Sequence, residues 1–462
     1  MDIFSALQSA VSGLKAQSFA LDNISGNIAN SQTTGFKRID TAFEDMLTEQ
    51  VPRYQTSGSV AASSQLTNTT QGTITSSSVP TNMALNGEGF FVVKTKTSDS
   101  ANLTTFSTSD LYTRRGDFSV DAAGRLVNGA GAYLVGQSLD PLTGQSTGTG
   151  VLSIPTKPIP ARPTTSLTYA ANLPATPRTG TGDAATAATI LGALPGGDVR
   201  VLSGGSARTL NVAATDTSAF VSSSVAGGSL TAYNPAGSPV NLDLRWAKVA
   251  QANAAAGTPD TWNLFYATTN GATASGASWR NVGTAFTFNA GGQLASPSGS
   301  SLTLPDVTVD GVSLGSLTLR TGPGSLTQYA DSSGTVATTT VQQDGYAAGT
   351  LNSLSVTSDG RIMGAYSNGN NIALARVGVV QFAADNGLKA TSGGNYIQTI
   401  ESGAPVNGLN GASIVGSNVE ASNTDTSEEF SKLIVTQQAY SANTRVMSTA
   451  QQMMSDIINI IR

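Results

Sequence analysis

The sequence predicts an α+β multidomain fold in which the two chain ends are α-helices pairing as a coiled coil, with nested, mainly antiparallel β domains between them. Three observations carry this. An apolar residue recurs at every seventh position near the N-terminus, through Leu7, Leu14, Leu21 and Ile28, and again near the C-terminus, through Leu433, Tyr440, Met447, Met454 and Ile461. Between the ends the apolar period falls to two, in short runs separated by glycine turns. A length of 462 residues is also too great for a single ordinary core.

Composition excludes several function classes. Charged residues make up 11% of the chain, against a usual value of about 25%, so neutral surfaces of Ser, Thr, Ala, Gly and Asn repel copies of themselves weakly. The 24 Lys and Arg form no basic run and the net charge is −5, which disfavours nucleic acid as a partner. With no Cys and no His, Ser-His-Asp, Cys-His and ordinary zinc sites cannot form. No Asp/Glu cluster stands out, so no catalytic residue, metal or cofactor is expected. An absence of Cys fits an exported protein. No run of about 18 apolar residues is present, so no membrane insertion is expected. Asp2, Gln8, Ser9, Ser12, Lys15 and Gln17 are unlike a signal peptide, and any export is expected to proceed without a cleaved one.

The inner helical domain is predicted over 1–30 and 426–462. Ile3, Phe4, Ala10, Val11 and Ile24 fill out the first stripe, and Phe430, Ala450, Ile457 and Ile458 the second. Sustained heptads argue for seams rather than a globular helix face. The residues expected to form the seam and to drive polymerisation are Leu7, Val11, Leu14, Leu21, Ile28, Phe430, Leu433, Tyr440, Met447, Met454, Ile458 and Ile461. Thr426 or Asp425 can cap the second helix, with Glu429 or Glu428 three residues on completing a capping box. Gln17, Ser18, Gln437, Thr444 and Gln451 dilute both stripes, and such helices are marginal alone. They are therefore expected to fold fully by pairing antiparallel with each other and with other copies; the alternative is a helical hairpin closing a monomeric domain.

Residues 31–79 read as an extended polar connector. Short strands and glycine turns follow, as in Leu85-Asn-Gly-Glu-Gly-Phe-Phe-Val-Val93 and Tyr133-Leu-Val-Gly136, with Gly124 and Gly131 expected in tight or left-handed turns. Gly87-x-Gly89 is read as a turn, since a strand and not a helix follows it. These runs open a first β domain over 80–160. Pro155, Pro158, Pro160 and Pro163 exclude helix and central strand, and mark a boundary. The next segment, 161–325, is expected to be an outer inserted β domain with a candidate subdivision near 184–228. It holds Trp246, Trp262 and Trp279, read as core. Alternation in Val240–Trp246 and Trp262–Tyr266 suggests half-buried antiparallel strands. The first β domain is then expected to resume over 326–425, with a hairpin turning at Asp359-Gly360.

At the end of the first helix stands Asn27-Ile-Ala-Asn30-Ser-Gln-Thr-Thr34-Gly35-Phe36-Lys37-Arg38. Physically, Asn30 can end the helix, Gly35 supplies a turn, Phe36 and Phe43 can anchor the connection, and Lys37 with Arg38 reads as a solvated pair. The string resembles the N-terminal signature of the axial proteins of the bacterial flagellum, the rod, hook and junction proteins. Asn27, Asn30, Thr34, Gly35, Phe36 and Lys37 are the positions carrying it. Ser417 to Val446, SNVEASNTDTSEEFSKLIVTQQAYSANTRV, resembles the matching C-terminal end. The likeness covers roughly 1–160 and 325–462.

Within that family the outer insert, the string EASNTDTSEEF and the strings DGYAAGTL and YSNG resemble the hook branch more than the rod branch. The resemblance implies a structural subunit assembling helically into a curved, extracellular tube, a universal joint with a central export channel. Its implied partners are many identical copies, rod and hook–filament junction proteins at the tube ends, and the flagellar type III export apparatus. A distal rod protein and a secreted β-rich adhesin are the alternatives.

Overall fold

The computed structural model describes residues 3–46, 59–100, 103–141, 143–155, 157–180, 182–183, 211–253, 255, 257–269 and 277–461. Residues 184–210, most of the expected subdivision near 184–228, lie outside them. The chain forms two compact units, one of residues 1–157 with 351–462 and one of residues 158–350.

The first unit carries helices at Ile3–Ala29 and Thr426–Ile461. Asp425 caps the second, its Oδ1 accepting the backbone N–H groups of Ser427 at 2.8 Å and Glu428 at 3.3 Å. Glu428, at the position a capping box would use, turns to Arg38 at 2.9 Å and Lys432 at 3.0 Å. The helices run antiparallel. Asn27 donates to Glu429 at 2.9 Å, while a Cβ on Gly13 would meet the Asn443 side chain at 2.8 Å, so advancing along one helix means retreating along the other.

The stretch 31–79 is not the extended connector expected. Ile39–Met46 and Ser59–Leu66 form an antiparallel hairpin in register from Ile39↔Leu66 to Met46↔Ser59. It lies on the N-terminal helix through Asn23 Nδ2 to Thr41 Oγ1 at 2.9 Å and Val60 N–H to Ser12 Oγ at 3.3 Å. Short half-buried residues, Val60, Ala61 and Ala62, permit this close approach.

Beyond the hairpin, a branched sheet runs in the order Leu351–Val356, Arg361–Tyr366, Asn371–Val377, Ala132–Leu139, Phe90–Ser100, Leu111–Thr113, Asn395–Ile397, Lys389–Thr391. Phe90 to Val93 is a continuous apolar run because both its faces are covered. One of them joins Tyr112, Phe382 and Tyr396 in a core of edge-on rings, with Tyr112 and Phe382 centroids 4.8 Å apart. Gly124 and Gly131 have φ of 80° and 81°, and Gly360 turns its hairpin at 81°.

The described residues of the second unit hold two larger sheets beside the two-stranded pair Arg178–Thr179 and Gly182–Asp183. One is built on Ser166–Asn172, Val312–Arg320 and Ser301–Val309; the other runs Asn211–Ala213, Ala277–Phe288, Thr261–Ala267, Pro239–Ala250, Val225–Tyr233. Leu317 and Tyr169 from the first share one core with Trp246, Trp262 and Phe286 from the second. Thr261–Ala267 is buried on both faces rather than half-buried, because Phe265 on its other face packs with Phe220 of the short helix Thr217–Ser222. Trp279 packs at the edge of that smaller cluster.

The insert also ends later than its composition suggests. Leu326–Thr327 and Ala337–Gln343 both pair with Ser166–Asn172, which keeps residues 326–350 in the second unit. A Thr-rich strand such as Ala337–Gln343 carries no apolar alternation that would announce it.

Candidate functional site

The two ends of the chain meet in the first unit, and the residues that join them form the candidate site. Among the described residues no group of three or more Asp or Glu is arranged to hold a metal ion. No described helix is long and apolar enough to cross a membrane.

Gly35 starts the junction. Its φ of 66° suits glycine, and a Cβ there would lie 2.6 Å from the Arg115 nitrogen. The turn aims the Gly35 N–H at the Glu420 carbonyl, 2.7 Å away, and sends Lys37 inward. Lys37 is not half of a solvated pair: its side chain and that of Glu420 are both 0% exposed, and they form a salt bridge of 2.5 Å. Lys37 also donates to the Thr70 carbonyl at 2.7 Å, and Glu420 accepts from the Gly72 N–H at 2.9 Å.

Arg114 completes the cluster. It donates to Glu420 at 3.4 Å and to the Gly87 carbonyl at 2.8 Å, with its guanidinium 5.4 Å from the Phe90 ring centre. One carboxylate thus faces two buried cations. Burial pulls the Lys37 ammonium below its ordinary range; Glu420 opposes that shift and Arg114 adds to it. Glu420 gathers the segments around Gly35, Gly72 and Arg114 onto the strand Asn418–Glu420, which pairs with Ile74–Ser76.

Outside this cluster lies a second polar layer. Asn27 is buried and uses its whole amide: Nδ2 donates to the Ile39 carbonyl and to Glu429, and Oδ1 accepts from the Ile39 N–H. Asn423 accepts from the Arg38 N–H at 2.7 Å and donates to the Thr67 and Thr70 carbonyls. Lys432 meets Asp40, Glu428 and Glu429. Partial burial would lower its pKa, but these three carboxylates outweigh that and raise it.

Of the signature residues, Asn27, Gly35 and Lys37 are buried, while Asn30, Thr34 and Phe36 are half-buried. The heptad residues sit differently. Leu7, Leu14, Leu21, Ile28, Leu433, Met447 and Met454 are half-buried, and Val11, Phe430, Tyr440 and Ile458 are exposed. The side chain of Ile461 lies outside the described residues. The line buried within the chain is instead Ala10, Gly13, Ala16, Ala20, Ile24 and Asn27 against Glu429, Thr436 and Ala450, with Asn443 half-buried beside Gly13. Sequence reasoning had Ala10, Ile24 and Ala450 in its stripes, and missed Gly13, Ala16, Ala20 and Thr436 of this seam and the roles of Glu420, Arg114 and Asn423. The small residues at three- and four-residue spacing were the available signal for the seam.

Residues 415–460 match the family described as flagellar basal body rod FlgEFG protein C-terminal. Residues 84–160 match the flagellar hook protein FlgE/F/G D1 domain, and residues 7–37 the flagella basal body rod protein. The chain is 27% identical to the flagellar hook protein FlgE of Brucella suis, over 100% of both chains. It is 26% identical to that of Treponema pallidum over 99% of each, and 27% identical to that of Salmonella typhimurium over 98% of each. The crystal structure of Helicobacter pylori flagellar hook protein FlgE2 aligns with 74% of this chain and 98% of its own, at 15% identity and a TM-score of 0.49.

Proposed function

The chain belongs to the flagellar hook protein family and is a structural subunit of the hook, not an enzyme; from that premise we propose that identical copies assemble helically into a curved hollow tube through their terminal helices. The tube acts as a universal joint between the basal body and the filament. It adjoins rod proteins at one end and junction proteins at the other, and its subunits leave the cell through the flagellar export apparatus.

One observation carries the assembly reading. The contact between the two helices uses small and polar residues, while Phe430, Ile434, Val435, Tyr440, Val446 and Ile458 stay at least 41% exposed. Burying one such side chain is worth about 1.5–3 kcal/mol, so the uncovered faces favour coiled-coil packing against neighbouring copies. The hairpin Ile39–Met46 and Ser59–Leu66 and the junction at Glu420 join those helices to the β domains. Contacts between unlike faces of identical subunits build an open helix wherever the rotation does not close.

The test is electron microscopy of the full chain beside one lacking residues 1–30 and 430–462, both under polymerising conditions. Curved hollow tubes from the full chain alone are expected. Tubes from both would move assembly to the β domains, and normal assembly by Leu14→Asp and Ile458→Asp variants would remove the helices from it.

A further inference from the structure

We propose that Asn410, in the turn 409–412, is a site of spontaneous deamidation that adds one carboxylate to each subunit as it ages. The reaction needs only the folded chain and is independent of the homopolymer reading. Local sequence gives no reason to single this residue out. Asn-Gly is the pair most open to such chemistry, because glycine has no Cβ to hinder attack by its nitrogen. The chain has seven such pairs, beginning at Asn86, Asn128, Asn270, Asn368, Asn386, Asn407 and Asn410. Asn270 lies outside the described residues.

Two freedoms are required. The glycine N–H must leave any acceptor it serves, and the asparagine carboxamide must swing onto the glycine nitrogen. At five of the described pairs the fold restrains one or both. Asn128 is buried, its Oδ1 accepting from the Ala130 and Ala132 N–H groups. Asn368 Oδ1 accepts from the Asn370 N–H, and Gly369 donates to the Tyr366 carbonyl at 2.9 Å. Asn386 Oδ1 accepts from the Asn68 N–H, and Gly387 donates to the Ala384 carbonyl at 3.0 Å. Asn86 is held in a strand opposite Ser413, and Gly87 donates to Gln71 Oε1 at 3.4 Å.

Asn407 makes the sharpest contrast, since it stands three residues before Asn410 and is also exposed. Gly408 donates to the Val379 carbonyl at 2.9 Å, and Asn407 pairs with Val380. Neither restraint exists at Asn410. Among the described residues nothing accepts from the Gly411 N–H or binds the Asn410 carboxamide, and both residues are exposed. A single hydrogen bond closes the turn, from the Ala412 N–H to the Leu409 carbonyl at 2.8 Å. Asn410 has a φ of 42°, a left-handed conformation that is costly for a residue with a Cβ, so leaving it to cyclise relieves strain.

In the reaction the Gly411 nitrogen attacks Asn410 Cγ. The N–Cγ bond forms, the Cγ–Nδ2 bond breaks, and the side-chain nitrogen departs as ammonia with the Gly411 proton. Water then opens the cyclic imide at either carbonyl, leaving aspartate or isoaspartate. The turn lies against Gly87, whose Cβ would meet Ala412 at 3.1 Å, and Gln381 Nε2 donates to both the Glu88 and Leu409 carbonyls. The new carboxylate thus joins the turn bearing Glu88, and an isoaspartyl linkage inserts an extra methylene into a turn closed by one bond. Because ammonia is lost, the modified fraction records the time since folding.

The test incubates the freshly folded full chain at mildly alkaline pH in heavy-oxygen water, then digests it with pepsin in acid, where the reaction stops. Mass spectrometry then sequences the peptide that carries both Asn407 and Asn410. Label should enter at Asn410 faster than at Asn407 by about tenfold, the order expected of one engaged hydrogen bond. It should also enter faster than at the other four restrained pairs. In the denatured chain Asn407 and Asn410 should label at similar rates, which would show that the fold makes the difference. Equal rates in the folded chain, faster labelling of any restrained pair, or an unlabelled Asn410 would overturn the proposal. So would an unequal pair in the denatured chain with the same ratio as in the folded one, since local sequence would then account for it.

Discussion

The junction of the chain ends and the core of the second unit hold together by opposite means. Around Trp246, Trp262 and Phe286 the second unit buries large apolar surfaces of two sheets, and Trp246 Nε1 donates to Tyr169, which donates in turn to the Gly227 carbonyl. Burial, against the hydrogen bond from Trp246, pushes the Tyr169 phenol up to about 12. The junction buries Lys37, Arg114 and Glu420 in a chain with only 11% charged residues. An apolar core needs volume and tolerates changes of identity that preserve it. A buried charge cluster tolerates little, since removing one member strands another.

That contrast breaks first at Glu420. Glu420→Gln leaves Lys37 and Arg114 facing each other, and a loss of about 3–5 kcal/mol is expected in chemical denaturation of the first unit. Lys37→Met leaves Glu420 with Arg114 and should cost less, about 1–3 kcal/mol. Equal losses would show that Arg114 does not share the carboxylate.

In the second unit Trp246→Ala should cost about 3–5 kcal/mol through a cavity. Loss of both units together would contradict their separate cores.

Gly13→Leu tests the small-residue seam, because even a Cβ there meets Asn443 at 2.8 Å. An overpacking cost of about 1–3 kcal/mol should appear as reduced helicity by circular dichroism, whereas Phe430→Ser should leave monomer helicity unchanged. Asp425→Ala removes the cap and should cost about 1 kcal/mol, read in the same spectra.

The smallest expected effect is that of pH. Hydrogen bonds from Lys432 and Arg38 hold the Glu428 carboxyl below its ordinary 4.5. Its contribution is therefore present above that value and lost as pH falls through the lower folded value. Lys432 is raised above 10.5, so its contribution is present below that value and lost as pH rises through the higher folded one. Melting of the C-terminal helix should be flat between these limits, and Glu428→Gln should abolish the acid decline.

Much was legible from local pattern. The two terminal helices, the glycine turns at Gly87, Gly124 and Gly360, and the strands around Trp246 and Trp262 follow from period, turn chemistry and chain stiffness, all properties of a few neighbouring residues. What period could not say is which side of a helix turns inward. Large residues every seventh position marked one stripe, yet Ala10, Gly13, Ala16 and Ala20 form the buried line, because small residues let the backbones approach while the larger ones remain available outside.

Tertiary structure alone decided the rest. Lys37 looks solvated beside Arg38, and it becomes buried because Glu420 lies 383 residues further along the chain. Likewise Ala337–Gln343 stays in the second unit because Ser166–Asn172 accepts it as a neighbour. Local sequence sets which conformations are cheap; only a distant partner can compensate a buried charge or an unpaired strand edge, and that partner exists only once the chain has folded back on itself.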